Sequence, residues 1–250
     1  MVGKLLLRGL LAGLIAGIVA FGFAFIYGEP SVDGAIVFEE QLAAAEPVVE
    51  NAMPEAEGGI TRDTQKGIGL LTGMVVLGVG LGGLYSVLFA FANGRMGRLT
   101  ASQSALVLAV ICFVTLALTP WLKYPANPPA STLDDTVGFR STLYFLMLVL
   151  SIGLTLCAWL VRSQLLPKLG AWNATLVSVI GYVVAALVLA WLMPTVNEVP
   201  AGFPVTVMWD FRVASIGIQA VLWSVLGLVF GVLVDRTAPE LAPGRLAVAQ

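Results

Sequence analysis

Leu5–Tyr27 reads LLLRGLLAGLIAGIVAFGFAFIY, a run of 23 residues whose only charge is Arg8. At about 1.5 Å per residue, a helix of that length reaches roughly 34 Å, enough to cross a hydrocarbon core of about 30 Å. The run predicts a membrane helix. A secretory signal is the competing reading, since Lys4 and Arg8 would make an n-region. The apolar run is long for an h-region, however, and no A-x-A cleavage pattern precedes Glu29, so we expect the helix to be retained.

The same length criterion finds five further runs, at 68–92, 102–122, 141–161, 172–193 and 213–234. The expected fold is an all-α integral membrane protein with six transmembrane helices. Residues 1–235 would form a single membrane domain, with an acidic outer loop at 28–66 and a short cytoplasmic tail at 236–250.

Composition agrees: 58% of residues are hydrophobic and only 11% charged, and the mean hydropathy is +0.94. A soluble domain carries about a quarter charged residues, so the bilayer must be the solvent. Net charge is −2 and the 13 basic residues are scattered, which leaves no patch for nucleic acid. Cys112 and Cys157 each lie inside an apolar run, where a free thiol packs as a small hydrophobe. With no histidine and no CxxC pair, the usual zinc and copper ligand sets are missing.

Basic residues accumulate on the cytoplasmic side of membrane helices. Lys4, Arg8, Arg95, Arg98, Arg162, Lys168, Arg236 and Arg245 fall on the side of the N-terminus, against Arg62, Lys66, Lys123, Arg140 and Arg212 opposite. Of the acids, only Asp235 and Glu240 share the N-terminal side. The expected topology is therefore N-in and C-in, with an acidic outer face. In the first outer loop, Ser31–Ala45 is expected to wind as a short surface helix capped by Ser31, and Pro47–Gly59 to be a flexible loop.

Gly9, Gly13 and Gly17 recur every four residues, as do the pairs Gly69 and Gly73, Gly78 and Gly82, and Gly227 and Gly231. In lipid, such spacing lets helix backbones approach closely. Internal packing is the first expectation and a subunit–subunit face, in an oligomer or larger complex, the second. The segments GEP (28–30), LKYPANPP (122–129) and VNEVPAGFP (196–204) each set a charge close to a proline, and each loop then ends in a basic residue: Arg62 or Lys66, Arg140, and Arg212. Pro120 and Pro194 are expected to end their helices alike, which would make three repeated helix hairpins. The bland alternative is that outer loops collect Pro and Gly wherever helices stop.

Candidate chemistry lies in those loops. Arg140 and Arg212 stand at helix ends against the charge bias, where an unpaired charge drawn into the core would cost roughly 2.5–3.5 kcal/mol. Asp134 and Asp135 are the expected partners of Arg140, and Asp210, Glu198 or Glu29 those of Arg212; snorkelling into the headgroups is the alternative. Pro125, Pro128, Pro129, Pro200 and Pro204 lack donors and leave carbonyls free. With Glu29, Asn127, Asn197, Glu198 and Asp210, they could line an oxygen-rich path for a divalent cation, Glu29 and Glu198 being the candidate metal ligands. No Walker, GxSxG or HExxH motif occurs, so ATP hydrolysis, serine-hydrolase and zincin chemistry have no sequence support. Trp121, Trp191, Trp209 and Trp223 read as interfacial anchors, and Met74, Met147, Met193 and Met208 as core filler.

RGLLAGLIAG (8–17), GEPSVDGAIVFEE (28–40), TPWLKYPANPP (119–129), VNEVPAGFP (196–204) and WDFRVAS (209–215) resemble the CbtA family of probable cobalt transporter subunits along nearly the whole chain. The resemblance implies a multi-helix inner-membrane protein suggested to import Co2+ and linked to cobalamin synthesis; the missing Walker motif adds the expectation of no ATPase of its own. The resemblance also implies a small single-helix partner, CbtB, that carries histidines. One departure stands out: similar proteins often have histidines in the first outer loop, whereas Val48–Thr64 offers only carboxylates and Met53. A noncatalytic accessory or scaffold subunit of a larger membrane complex is the alternative function. No permanent cofactor and no enzymatic activity is expected.

Overall fold

The computed structural model describes residues 2–45, 61–129, 131, 134–196 and 199–237. Every regular element among them is helical. Five described helices are long and apolar enough to cross a membrane: Gly3–Ala44, Arg62–Ala92, Ala101–Lys123, Val137–Leu192 and Val205–Arg236. The chain divides into two compact units, one holding the helices before and including Cys112 together with the last helix, the other holding Phe113–Asn127 and Ser131–Phe203.

In the first unit, α1 (Val2–Phe23) runs through a π-turn, Ala24–Gly28, into α2 (Glu29–Ala45). The π-turn has a local cause. Pro30 has no N–H, and its ring would press on the carbonyl four residues back; widening the turn, with the Glu29 N–H bonded to the Ala24 carbonyl, relieves this and keeps the chain helical. Ser31 is therefore inside the helix and 6% exposed, not the N-cap that the sequence led us to expect.

A second chain segment, α3 (Arg62–Thr64), passes through a π-turn into α4 (Leu70–Ala92) and returns along α1. Glycine makes that contact. A Cβ placed on Gly13 would lie 2.1 Å from the Gly78 carbonyl oxygen, one on Gly9 2.3 Å from that of Gly82, and one on Gly17 2.5 Å from that of Met74. The expectation of internal packing thus holds for these residues, and also for Gly227, whose Cβ would meet that of Ala109 at 2.6 Å. It fails for Gly73, which has open space.

Helix α5 (Ala101–Cys112) and helix α8 (Val205–Thr237) complete the unit. Tyr85, Phe89 and Phe230 are fully buried between them and α4, with edge-on ring contacts of 5.2 Å and 5.0 Å. The Tyr85 hydroxyl donates to the Ala105 carbonyl. Trp223 joins this cluster at 6.4 Å from Tyr85 and is 4% exposed. It is a core residue, whereas Trp191 and Trp209 are exposed as anchors should be.

The second unit begins where the helix from Ala101 relaxes into a π-turn, Phe113–Leu118, before α6 (Thr119–Lys123). Pro120 follows this π-turn as Pro30 follows the first. Pro120 therefore continues its helix, while Pro194 lies past the end of its own, so the local resemblance pairs Pro30 with Pro120 and not Pro120 with Pro194.

Helix α7 (Asp134–Leu192) is interrupted at Gly170, where φ is 73° and ψ is 170°. A continuous helix would hold Arg162 and Thr175 about 20 Å apart. Instead the Arg162 Nε donates to the Thr175 hydroxyl at 2.9 Å, and Leu143 and Met147 near one end pack with Met193 at the other. The two arms double back at Gly170. The methionines 74, 147, 193 and 208 are all buried, as expected; of the cysteines, Cys112 is buried but Cys157 is exposed. The expected flexible loop Pro47–Gly59 lies outside the described residues.

Candidate functional site

Two polar constellations form close to prolines, one beside Pro30 and one beside Pro125 and Pro194. The first is in the first unit. Glu29 and Asp33 are four residues apart on the helical path, hence on one face. Thr61 caps α3, its hydroxyl accepting from the Thr64 N–H at 3.4 Å, and Arg62 follows in the first turn. The Arg62 guanidinium bridges both acids: Nη2 contacts the Glu29 carboxylate and lies 2.9 Å from Asp33, while Nε donates to the same Asp33 oxygen at 3.0 Å. The Glu29 side chain is only 12% exposed and that of Asp33 47%. Charge-assisted bonds to a carboxylate this sheltered contribute about 1.5–3 kcal/mol. They fasten the start of α2 to the entry of the helix that follows.

The second constellation belongs to the second unit. Tyr124 is 4% exposed and packs with Leu143, Met147 and Met193, while its hydroxyl donates to the Pro194 carbonyl at 2.7 Å. Burial pushes its phenol above the ordinary value, so it stays a donor. Arg140 Nη2 donates to the Pro125 carbonyl at 2.6 Å. Thr119 and Tyr182 join their hydroxyls at 2.8 Å. Proline-rich backbone does present carbonyls here, as the sequence implied, but those of Pro125 and Pro194 are engaged by the protein's own donors.

Each sequence-derived candidate can now be located. Glu29 pairs with Arg62 and Asp33 joins it, a pairing that spacing could not reveal because 33 residues separate Glu29 from Arg62. The only hint was that a basic residue enters the second span. Asp210 is exposed in the second turn of α8, and Arg212, two residues further on, is half-buried. Asn127 is half-buried in the second unit. Asp134 and Asp135 begin α7, but their side chains lie outside the described residues, as do Asn197 and Glu198 altogether. Among the described residues, no three Cys, Asp or Glu side chains converge as a metal cluster. Glu29 with Asp33 is a pair of hard oxygen donors whose two negative charges share the single guanidinium of Arg62.

A family model described as probable cobalt transporter subunit (CbtA) matches residues 2–235. No curated protein matches. No solved structure does either.

Proposed function

Since the chain belongs to the CbtA family of probable cobalt transporter subunits, we propose that it is the permease subunit of a divalent-metal uptake system, with Co2+ as substrate. It works as a non-enzymatic multi-pass protein of the inner membrane. The observation that carries the reading is Glu29: a carboxylate at the end of the first span, 12% exposed, that shares one guanidinium with Asp33. Such a group offers oxygen ligation to a hard or borderline cation at the edge of the bilayer.

In this reading residues 1–235 cross the bilayer six times, N-in and C-in, with 236–250 as a cytoplasmic tail. Two observations support it: the arms of α7 double back at Gly170, and basic residues collect on the side of the N-terminus. The Pro-rich helix ends then face outward, and Glu29, Asn127, Asn197, Glu198 and Asp210 serve as oxygen ligands along an acidic entry path. Arg140 and Arg212 balance charge there, Asp134 and Asp135 remaining the proposed carboxylate partners of Arg140. A small histidine-bearing single-helix protein, CbtB-like, supplies the imidazole that this chain lacks. Co2+ uptake in cells carrying Glu29→Ala or Glu198→Ala tests the path: both should fall several-fold, and unchanged uptake in both would defeat it.

A further inference from the structure

The glycine contact between α1 and α4 ends at Gly9 and Gly82. Beyond it, toward the first residues of α1 and the last of α4, a groove of about 420 Å³ opens. Leu5, Leu6, Val87, Ala90 and Phe91 make its walls. Ser86 also lines it, but its hydroxyl already donates to the Gly83 carbonyl at 2.7 Å. Arg95 is the one charged residue of the lining. Its guanidinium carbon stands 4.7 Å from the centre of the Phe91 ring, and Nη1 donates to the Phe91 carbonyl. That pins the cation over the apolar cleft with most of its five donors uncommitted to the Phe91 carbonyl. Lys4, next to Leu5, and Arg98 add positive charge at the same end of this helix pair.

An apolar trough with a fixed cation fits a ligand with a hydrocarbon tail and an anionic head. In a bilayer, that ligand is a phospholipid, and basic pockets between membrane helices recognise anionic headgroups in this manner. We propose that the groove binds one anionic phospholipid of the surrounding bilayer, an acyl chain lying along Leu5, Val87 and Phe91 and the phosphate meeting Arg95. A neutral lipid would fill the trough without using the cation. The lipid would cover the ends of α1 and α4 that lie beyond the glycine contact.

Native mass spectrometry of the full chain in mild detergent, titrated with phosphatidylglycerol or phosphatidylcholine, tests this. One phosphatidylglycerol should be retained in preference to phosphatidylcholine. Arg95→Gln should weaken its binding about fivefold, the worth of one basic residue near a headgroup. Ala90→Trp, which fills the trough from an exposed position, should do the same with Arg95 intact, and Leu6→Trp at a position 39% exposed serves if that variant misfolds. Arg236→Gln, outside the groove, should leave binding unchanged. Equal retention of both lipids by the natural chain, or unaltered phosphatidylglycerol binding in Arg95→Gln and the tryptophan variant, would overturn the site. Displacement of the lipid by millimolar inorganic phosphate would also overturn it, since that would mean an anion site without a tail groove.

Discussion

Arg62 is the residue on which the first constellation turns. Replacing it with glutamine leaves Glu29 sheltered and unpaired, so Arg62→Gln should lower stability by about 1.5–3 kcal/mol in thermal unfolding of the detergent-solubilised protein. Glu29→Gln should recover part of that loss in the double variant, because it removes the orphaned charge; additive losses would show that the two residues do not interact. Tyr124 makes a smaller but separable contribution. Tyr124→Phe forfeits its bond to the Pro194 carbonyl and should cost about 0.5–1.5 kcal/mol. The sign of its pH dependence follows from burial, which raises the phenol above its ordinary value. The neutral form is favoured in the fold, so its stabilisation is complete below pH about 10 and fades as pH rises through the folded value. Unfolding midpoints of the natural protein should therefore fall more steeply in alkali than those of Tyr124→Phe.

The helices themselves were largely legible from apolar length, and their closest contact from glycine spacing. A Cβ on Gly13 would stand 2.1 Å from a backbone oxygen, whereas one on Gly73 would meet nothing within 4 Å. Gly13→Val should thus separate α1 from α4 and destabilise by at least about 1–3 kcal/mol. Gly73→Ala should be neutral or stabilising, and similar melting of the two variants would contradict the packing described. A break between the runs at 141–161 and 172–193 was legible too, though its place at Gly170 was not. That residue's φ of 73° with ψ of 170° is a region only glycine occupies comfortably, so Gly170→Ala should cost about 1–3 kcal/mol by the same measurement. Other features were not written in local pattern. The π-turns before Pro30 and Pro120 let proline sit within a continuing helix, so reading every proline as a stop placed Ser31 and Pro120 wrongly. Partners such as Glu29 with Arg62, or Tyr124 with Pro194, are long-range choices that periodicity does not encode. Trp223 was assigned to the membrane edge by residue type, yet its place beside Tyr85 is set by which face of α8 turns inward.

For the molecule as a whole, the proposed Co2+ transport rests on membership of the CbtA family of probable cobalt transporter subunits and on a sheltered acid, Glu29, that follows the first π-turn. Six crossings require both termini on one side, so a reporter at Gln250 should read cytoplasmic; an extracytoplasmic signal would remove the proposed orientation and with it the outward acidic face. Transport is the central claim, and flux tests it most directly. Proteoliposomes holding the purified chain together with a histidine-bearing single-helix partner should take up Co2+ down its gradient faster than empty vesicles, and Glu29→Ala should slow that uptake several-fold. No uptake above empty vesicles by the folded protein, with the partner or without it, would contradict the account.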